Sequence, residues 1–177
     1  MNIKTKNLTQ TALLCALIAI GAFITIPIGP VPFTMQNFFV FMAGLLLTPE
    51  YAALSVLTYV LLGLIGLPIF SGFQGGMQYV FSPTFGFLIS FILGAALISK
   101  LAQGKKKLGE LMIVLIIAEV LFYAIGLPYM YMIITKVSGA SLSLGKVFAV
   151  GMTPFIIPDM AKAAIAAYLA PKIKKNL

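Results

Sequence analysis

An all-α membrane protein, a six-transmembrane-helix bundle with both N and C termini cytoplasmic, is the fold class this sequence predicts. Three observations carry that expectation: an apolar excess, a regular series of helix breaks, and a one-sided placement of lysine. Of 177 residues, 61% are hydrophobic and 9% are charged, whereas a soluble domain carries about 25% charged and about 45–50% apolar residues. Too little polar surface is left to coat a water-soluble globule, so much of the apolar surface must face lipid. At roughly 20 residues per span the length accommodates six spans in a single domain covering 1–177.

The spans follow from the Pro, Gly and charge clusters that end helices. The first covers residues 8–26 and stops at Pro27, in Pro27-Ile28-Gly29-Pro30-Val31-Pro32. A shorter second span covers 33–47 and ends at Thr48-Pro49-Glu50. The third, 51–65, ends in Gly66-Leu67-Pro68, and a glycine-rich loop follows. The fourth, 80–99, ends in Lys100 and Lys105-Lys106-Lys107, and the fifth covers 111–125. A semi-polar stretch with Lys136, Ser138-Gly139-Ala140-Ser141 and Lys146 precedes the last apolar stretch, 147–170, which ends in Lys172, Lys174 and Lys175. Unbonded peptide groups cost several kcal/mol in hydrocarbon, so helices are required over open strands. The short alternating segments of a barrel are not visible. Ile65-Gly66-Leu67-Pro68 recurs as Ile125-Gly126-Leu127-Pro128, each at the same interval after a glutamate, Glu50 or Glu110. This is either an internal repeat or two independent helix stops; both readings make the two segments parallel, outward-running spans.

Lysine sets the orientation. The net charge of +8 comes from 12 lysines and no arginine. With both ends inside, Lys4, Lys6, Lys100, Lys105, Lys106, Lys107, Lys172, Lys174 and Lys175 are cytoplasmic, only Lys136 and Lys146 are external, and Lys162 lies within a span. Positive residues resist translocation, so the inverted topology is disfavoured. These short runs at the ends of apolar stretches suit a membrane surface and not a nucleic acid. The first apolar stretch lacks a cleavable signal pattern. The lone Cys15 cannot form an internal disulfide.

Asp159 and Lys162 are the leading candidates for chemistry. Three residues apart on an apolar stretch, they share one helix face. Ionisable groups at membrane depth are costly and face a cavity or one another. Pro158 suits the first turn of a helix, so the last stretch is expected to break near Pro154 and Pro158, leaving Asp159 by the positive end of a helix dipole. A ligand site and a self-satisfied salt bridge are both open readings. Two outer loops could complete a pocket. Loop one, Pro30-Val31-Pro32-Phe33-Thr34-Met35-Gln36-Asn37, delivers two adjacent amides, with Gln36 the candidate ligand contact. Loop two, 66–79, is apolar and aromatic, with Gly75, Gly76, Gln78 and Tyr79 as candidates; its glycines allow close backbone approach. Glu119, with Tyr123 one turn on, is either a proton or ion site or a hydrogen-bonded structural carboxylate. Ala12 and Ala16 form a small-residue stripe that admits a close neighbouring helix, inside or outside this chain.

Absences narrow the function further. With no histidine and one cysteine, zinc sites and Ser–His–Asp or Cys–His machinery are excluded. The single aspartate excludes an aspartyl dyad, and no P-loop is present. No enzyme, metal or cofactor is expected. Uphill transport would need an ion gradient or another protein.

The ordered set Pro30-Val31-Pro32-Phe33-Thr34-Met35-Gln36, Gly66-Leu67-Pro68-Ile69-Phe70-Ser71-Gly72 through Gly75-Gly76, Pro83-Thr84 with Gly86, and Pro154-Phe155 before Asp159 and Lys162 resembles the BioY family. Its members are the biotin-specific S components of energy-coupling factor (ECF) vitamin transporters. The resemblance covers nearly the whole chain. It implies an S-component bundle in a prokaryotic plasma membrane that binds biotin and docks on a transmembrane coupling (T) protein driven by two ATP-binding-cassette ATPases. It further implies that Ala12 and Ala16 match the docking motif for that coupling protein. Biotin's ureido group needs acceptors for two N–H groups and a donor for its oxygen, and its bicycle needs apolar walls. Asp159 and Lys162 supply the first, with Lys162 meeting either the ureido oxygen or the valerate carboxylate. The rival readings are a small ion-coupled exporter or channel-like protein using Glu119, and a structural scaffold without ligand.

Overall fold

The computed structural model describes residues 3–27, 31–139 and 141–175. Ile28, Gly29 and Pro30 of the first break, and Ala140 of the semi-polar stretch, lie outside the described residues. Among the described residues seven α-helices dominate. Helix α1 spans Ile3–Phe23. It begins earlier than the apolar run, and within its polar first turns Thr9 and Thr11 bond their hydroxyls to the carbonyls of Thr5 and Asn7, which satisfies them within the helix. It also ends earlier, because residues 25–26 leave the helix. Thr25–Ile26 (β1) pairs antiparallel with Phe33–Thr34 (β2), with Thr25 opposite Thr34 and Ile26 opposite Phe33. Loop one therefore contributes Phe33–Thr34 to a small antiparallel pair with the end of the first stretch, here called the hairpin, an element not expected from the sequence.

Helix α2, Gln36–Leu46, is only 11 residues long, or about 16 Å at the helical rise. Helix α3, Pro49–Leu64, starts with its proline in the first turn, where no amide is needed. Loop two then folds back over the end of α3. The Gly76 amide donates to the Gly63 carbonyl at 2.7 Å, and the buried Phe70 ring lies so close to Gly63 that a Cβ there would strike it. A 3-10 turn, Met77–Phe81, leads into α4, Phe85–Leu101, so the expected fourth span loses its first five residues, two to the turn and three to the link that follows it. Helix α5 runs from Leu108 to Met132 and continues as one π-helical turn, Ile133–Val137. Helix α6, Leu144–Gly151, and α7, Ile156–Lys174, meet at a 45° bend, with Pro158 in the first turn of α7 as the sequence led us to expect.

The repeated tetrapeptide has two different fates. After α3, Gly66 adopts φ +113° with open space around it, and the helix ends. In α5, Gly126 and Pro128 lie inside the helix, which runs on past them. Gly126 is needed there because the Phe87 ring packs where its Cβ would be. The two segments are thus not equivalent helix stops.

Helix α4 packs between α3 and α5, α1 covers α2 and α3, and α7 seals the bundle against α2 and α5. The interior holds Gln36, Asn37, Glu119, Asp159 and Lys162, while Leu13, Ile20, Leu61, Ile113, Val120 and Ile157 face outward. Such an inverted distribution suits lipid. By length and composition α1 and the rod Leu108–Val137 can each cross a membrane, and the bent α6–α7 pair can act as a third span.

Candidate ligand-binding site

Between α2, α4, α5 and α7, beneath the hairpin and loop two, lies a cavity of about 80 Å³. Its polar end is built around Asp159. The bend between α6 and α7 sets Asp159 in the first turn of α7, with its amide already bonded to the Phe155 carbonyl at 2.8 Å, so the side chain alone faces inward. Lys162, one turn on, donates from Nζ to Asp159 Oδ1 at 2.8 Å, to Asn37 Oδ1 at 2.9 Å and to the Thr34 carbonyl at 2.7 Å. The ammonium also stands 4.0 Å from the centre of the Phe33 ring, a cation–π contact strengthened by desolvation. The hairpin explains this capture. Pairing of β2 with β1 fixes both the Thr34 carbonyl and the Phe33 ring over the end of α7.

Asn37, on the first turn of α2, knits the cluster together. Its Nδ2 donates to Asp159 Oδ1 at 2.8 Å and to Glu119 Oε1 at 3.3 Å. Tyr123, one turn beyond Glu119 on α5, donates from its hydroxyl to Asp159 Oδ2 at 2.9 Å. Three helices and a hairpin thus hold one buried ion pair, a second carboxylate and an amide in mutual contact. Burying charges is costly unless they are well paired; Asp159 and Lys162 meet that condition, while Glu119 is held by the Asn37 amide. Gln36 is the exception. It is buried, and its Nε2 has no partner among the described residues, although such a group costs about 1–3 kcal/mol when unsatisfied. Gln36 lines the same cavity.

The remaining walls are aromatic: Phe87, Phe91, Phe122, Tyr123 and Phe155. Phe91 stands edge-on to Phe122 at 4.7 Å, and Phe87 to Tyr123 at 6.2 Å. At the rim Tyr79 is buried, its hydroxyl 3.2 Å from that of Thr84. Burial pushes the Tyr79 phenol above its ordinary range, so it remains neutral. Ser71 of loop two meets Thr25 of the hairpin, hydroxyl to hydroxyl, at 3.2 Å, which joins the two loops over the cavity.

Of the residues singled out in the sequence, Asp159, Lys162, Gln36 and Tyr79 come together here. Gln78 does not. It is exposed, donates to the Gly75 carbonyl at 2.6 Å, and lines with Gly75 a separate shallow groove on the outer side of loop two. Gly76, at φ +97°, turns the chain beside it. Ala12 and Ala16 are exposed on α1, away from the cavity. Glu119, for which an ion site and a structural role both stood open, belongs to the cluster. Asn37, Tyr123 and Thr34 complete it, and only the adjacency of Asn37 to Gln36 hinted at the first.

The BioY family model matches residues 1–177. The chain is 39% identical over 170 residues to the biotin transporter BioY of Thermotoga maritima, covering 96% of each chain. It is 41% identical over 174 residues to the probable biotin transporter BioY of Pyrococcus horikoshii, covering 98% of this chain and 99% of that one. A crystal structure of the S component for biotin from an ECF-type ABC transporter superposes with a TM-score of 0.85 at 32% identity, over 98% of this chain and 93% of that one. Fold, length and sequence agree from end to end, and the chain belongs to the BioY family.

Proposed function

We propose that the chain binds biotin in this cavity and serves as the uptake subunit of an ATP-driven ECF transporter. The observation that carries the proposal is the Asn37–Asp159–Lys162 cluster at the end of an aromatic cavity. The Asp159 carboxylate accepts one ureido N–H, Lys162 exchanges its bond to the Thr34 carbonyl for one to the ureido oxygen because its three N–H donors are all engaged, and the unpartnered Gln36 amide supplies a further donor. The aromatic walls take the bicycle. Small-molecule sites enclose about 300 Å³ or more, so the cavity of about 80 Å³ must enlarge. The hairpin and loop two, tied at Thr25 and Ser71, are the parts free to move outward. Gly75, Gly76 and Gln78 then act as lid residues, above the pocket and not within it.

The same reading places six spans in a prokaryotic plasma membrane, α1, α3, α4 and α5 singly, the short α2 together with the extended β2 segment before it, and α6–α7 as one broken span, with both termini cytoplasmic. The exposed Ala12/Ala16 face of α1 docks on the T protein, and two ATPases supply the energy. The deciding experiment is binding of labelled biotin to the purified chain. One biotin bound per chain is the expected outcome. Proton-dependent flux without biotin binding would instead favour an exporter working through Glu119.

A further inference from the structure

At the opposite end of the bundle from the cavity lies a second hollow, of about 450 Å³. Its floor is apolar, made by Leu45 at the end of α2, Leu111 of α5 and Ala170 of α7. Its rim carries four lysines from two chain segments: Lys105 and Lys106 between α4 and α5, and Lys174 and Lys175 at the end of α7. Among the described residues no carboxylate lines it. The nearest acid in sequence, Glu110, is turned toward the Lys107 backbone amide.

Two of the lysines are held in place by carbonyls at helix ends. Lys105 Nζ donates to the Leu101 carbonyl at 2.7 Å, and Lys174 Nζ to the Leu45 carbonyl at 3.3 Å. Each retains further N–H donors. Lysines that only set topology would spread into solvent and repel one another. Here four converge on one apolar hollow, which lowers the cost of bringing in a phosphate and raises the value of an attached acyl chain.

We infer that this hollow binds the phosphate-bearing headgroup of an anionic phospholipid, with the first part of an acyl chain on the Leu45–Leu111–Ala170 floor. The shared chemistry, a phosphate anion, could also come from a free phosphate, but the apolar floor favours the lipid. Basic hollows between membrane helices on the cytoplasmic side suit such headgroups. The side of the membrane rests on the orientation proposed above; the presence of the site does not.

Native mass spectrometry of the purified chain, after exchange into mixed phosphatidylglycerol and phosphatidylcholine, reads the number of lipids retained. The expected result is one retained phosphatidylglycerol, preferred by about tenfold or more given the number of lysines at the surface. That preference should be lost in a Lys105→Gln/Lys106→Gln/Lys174→Gln/Lys175→Gln variant. The same charge removed elsewhere at this end, Lys4→Gln/Lys6→Gln/Lys100→Gln/Lys107→Gln, should leave it intact. Biotin binding by both variants reports that they are folded and is independent of this site. If biotin binding is absent from the wild type, circular dichroism and thermal melting replace it as the folding control, so failure of the biotin reading leaves this test standing. Equal loss in both variants, no preference in the wild type, or displacement of the lipid by millimolar inorganic phosphate would each overturn the inference.

Discussion

At the lysine-rich end, the bundle closes through small residues. Ala166, Ala167 and Ala170 of α7 are buried, and Gly44 of α2 lies against Ile98 of α4. At the cavity end the same helices part around polar groups, and the connecting backbone is a hairpin, a 3-10 turn, a π turn and a 45° bend. Association of helices in lipid rests on close packing, which small residues permit, so one end is a fixed platform. Irregular backbone is tolerated at membrane depth only where protein or a cavity satisfies it, and there the other end places its binding groups. The contrast separates residues whose substitution should unfold the chain from residues whose substitution should only empty it.

The sharpest test of the cavity end is Asp159→Ala. It removes the acceptor shared by Lys162, Asn37 and Tyr123 and leaves the ammonium without its charge partner. Losing one member of a desolvated charged contact costs about 2–5 kcal/mol, so biotin affinity should fall by well over tenfold, with circular dichroism showing a folded chain. Near-wild-type affinity would remove Asp159 from the site.

At the packed end, Gly44→Val should act the other way. The new side chain would meet Ile98 and the Ala95 carbonyl, which lies 2.9 Å from the ideal Cβ position. Overpacking of this kind costs about 1–3 kcal/mol. The thermal midpoint in detergent should drop, while the fraction still folded binds biotin with unchanged affinity. A changed affinity in that fraction would show that the two ends are coupled.

Much of this division was legible in the sequence. Pro49 marked the break between α2 and α3, Gly66 the end of α3, and Pro158 the start of the last helix, because each acts through its own backbone geometry. Asp159 and Lys162 were legible because a charge in an apolar run is costly and must be explained. What was hidden depends on contact across the fold. Nothing local distinguishes Gly66, which ends a helix at positive φ, from Gly126, which makes room for Phe87 within one. Asn37 looks like its neighbour Gln36 in the sequence, yet only Asn37 reaches both Asp159 and Glu119. The hairpin was hidden because two-residue strands leave no periodicity to read, and with it went the roles of Thr34 and Phe33.

Lys162→Ala sharpens the picture of the cavity itself. If the ammonium meets the ureido oxygen, biotin and biotinamide should weaken by the same factor, about tenfold or more for a buried charged hydrogen bond. Weakening of biotin alone would put the valerate carboxylate beside Lys162 and reverse the ligand. Competition binding with the two compounds on one preparation measures the ratio directly.

The smallest effect on binding is expected on the third surface, the outward face of α1. Ala12 and Ala16 are exposed one turn apart, while Thr11, Leu14, Cys15 and Ile18 turn inward. A tryptophan at either position therefore projects away from both the cavity and the packed core. Biotin binding by purified Ala12→Trp and Ala16→Trp should match the wild type. A partner helix that packs on two alanines cannot accommodate an indole without separating from them, and close packing is what holds helices together in lipid. ATP-dependent biotin uptake by cells that also carry the T protein and the ATPases should fall several-fold for the same variants. Binding and uptake falling together would assign the stripe to the fold or the pocket, and if neither changed the partner would have to dock on another face of the bundle.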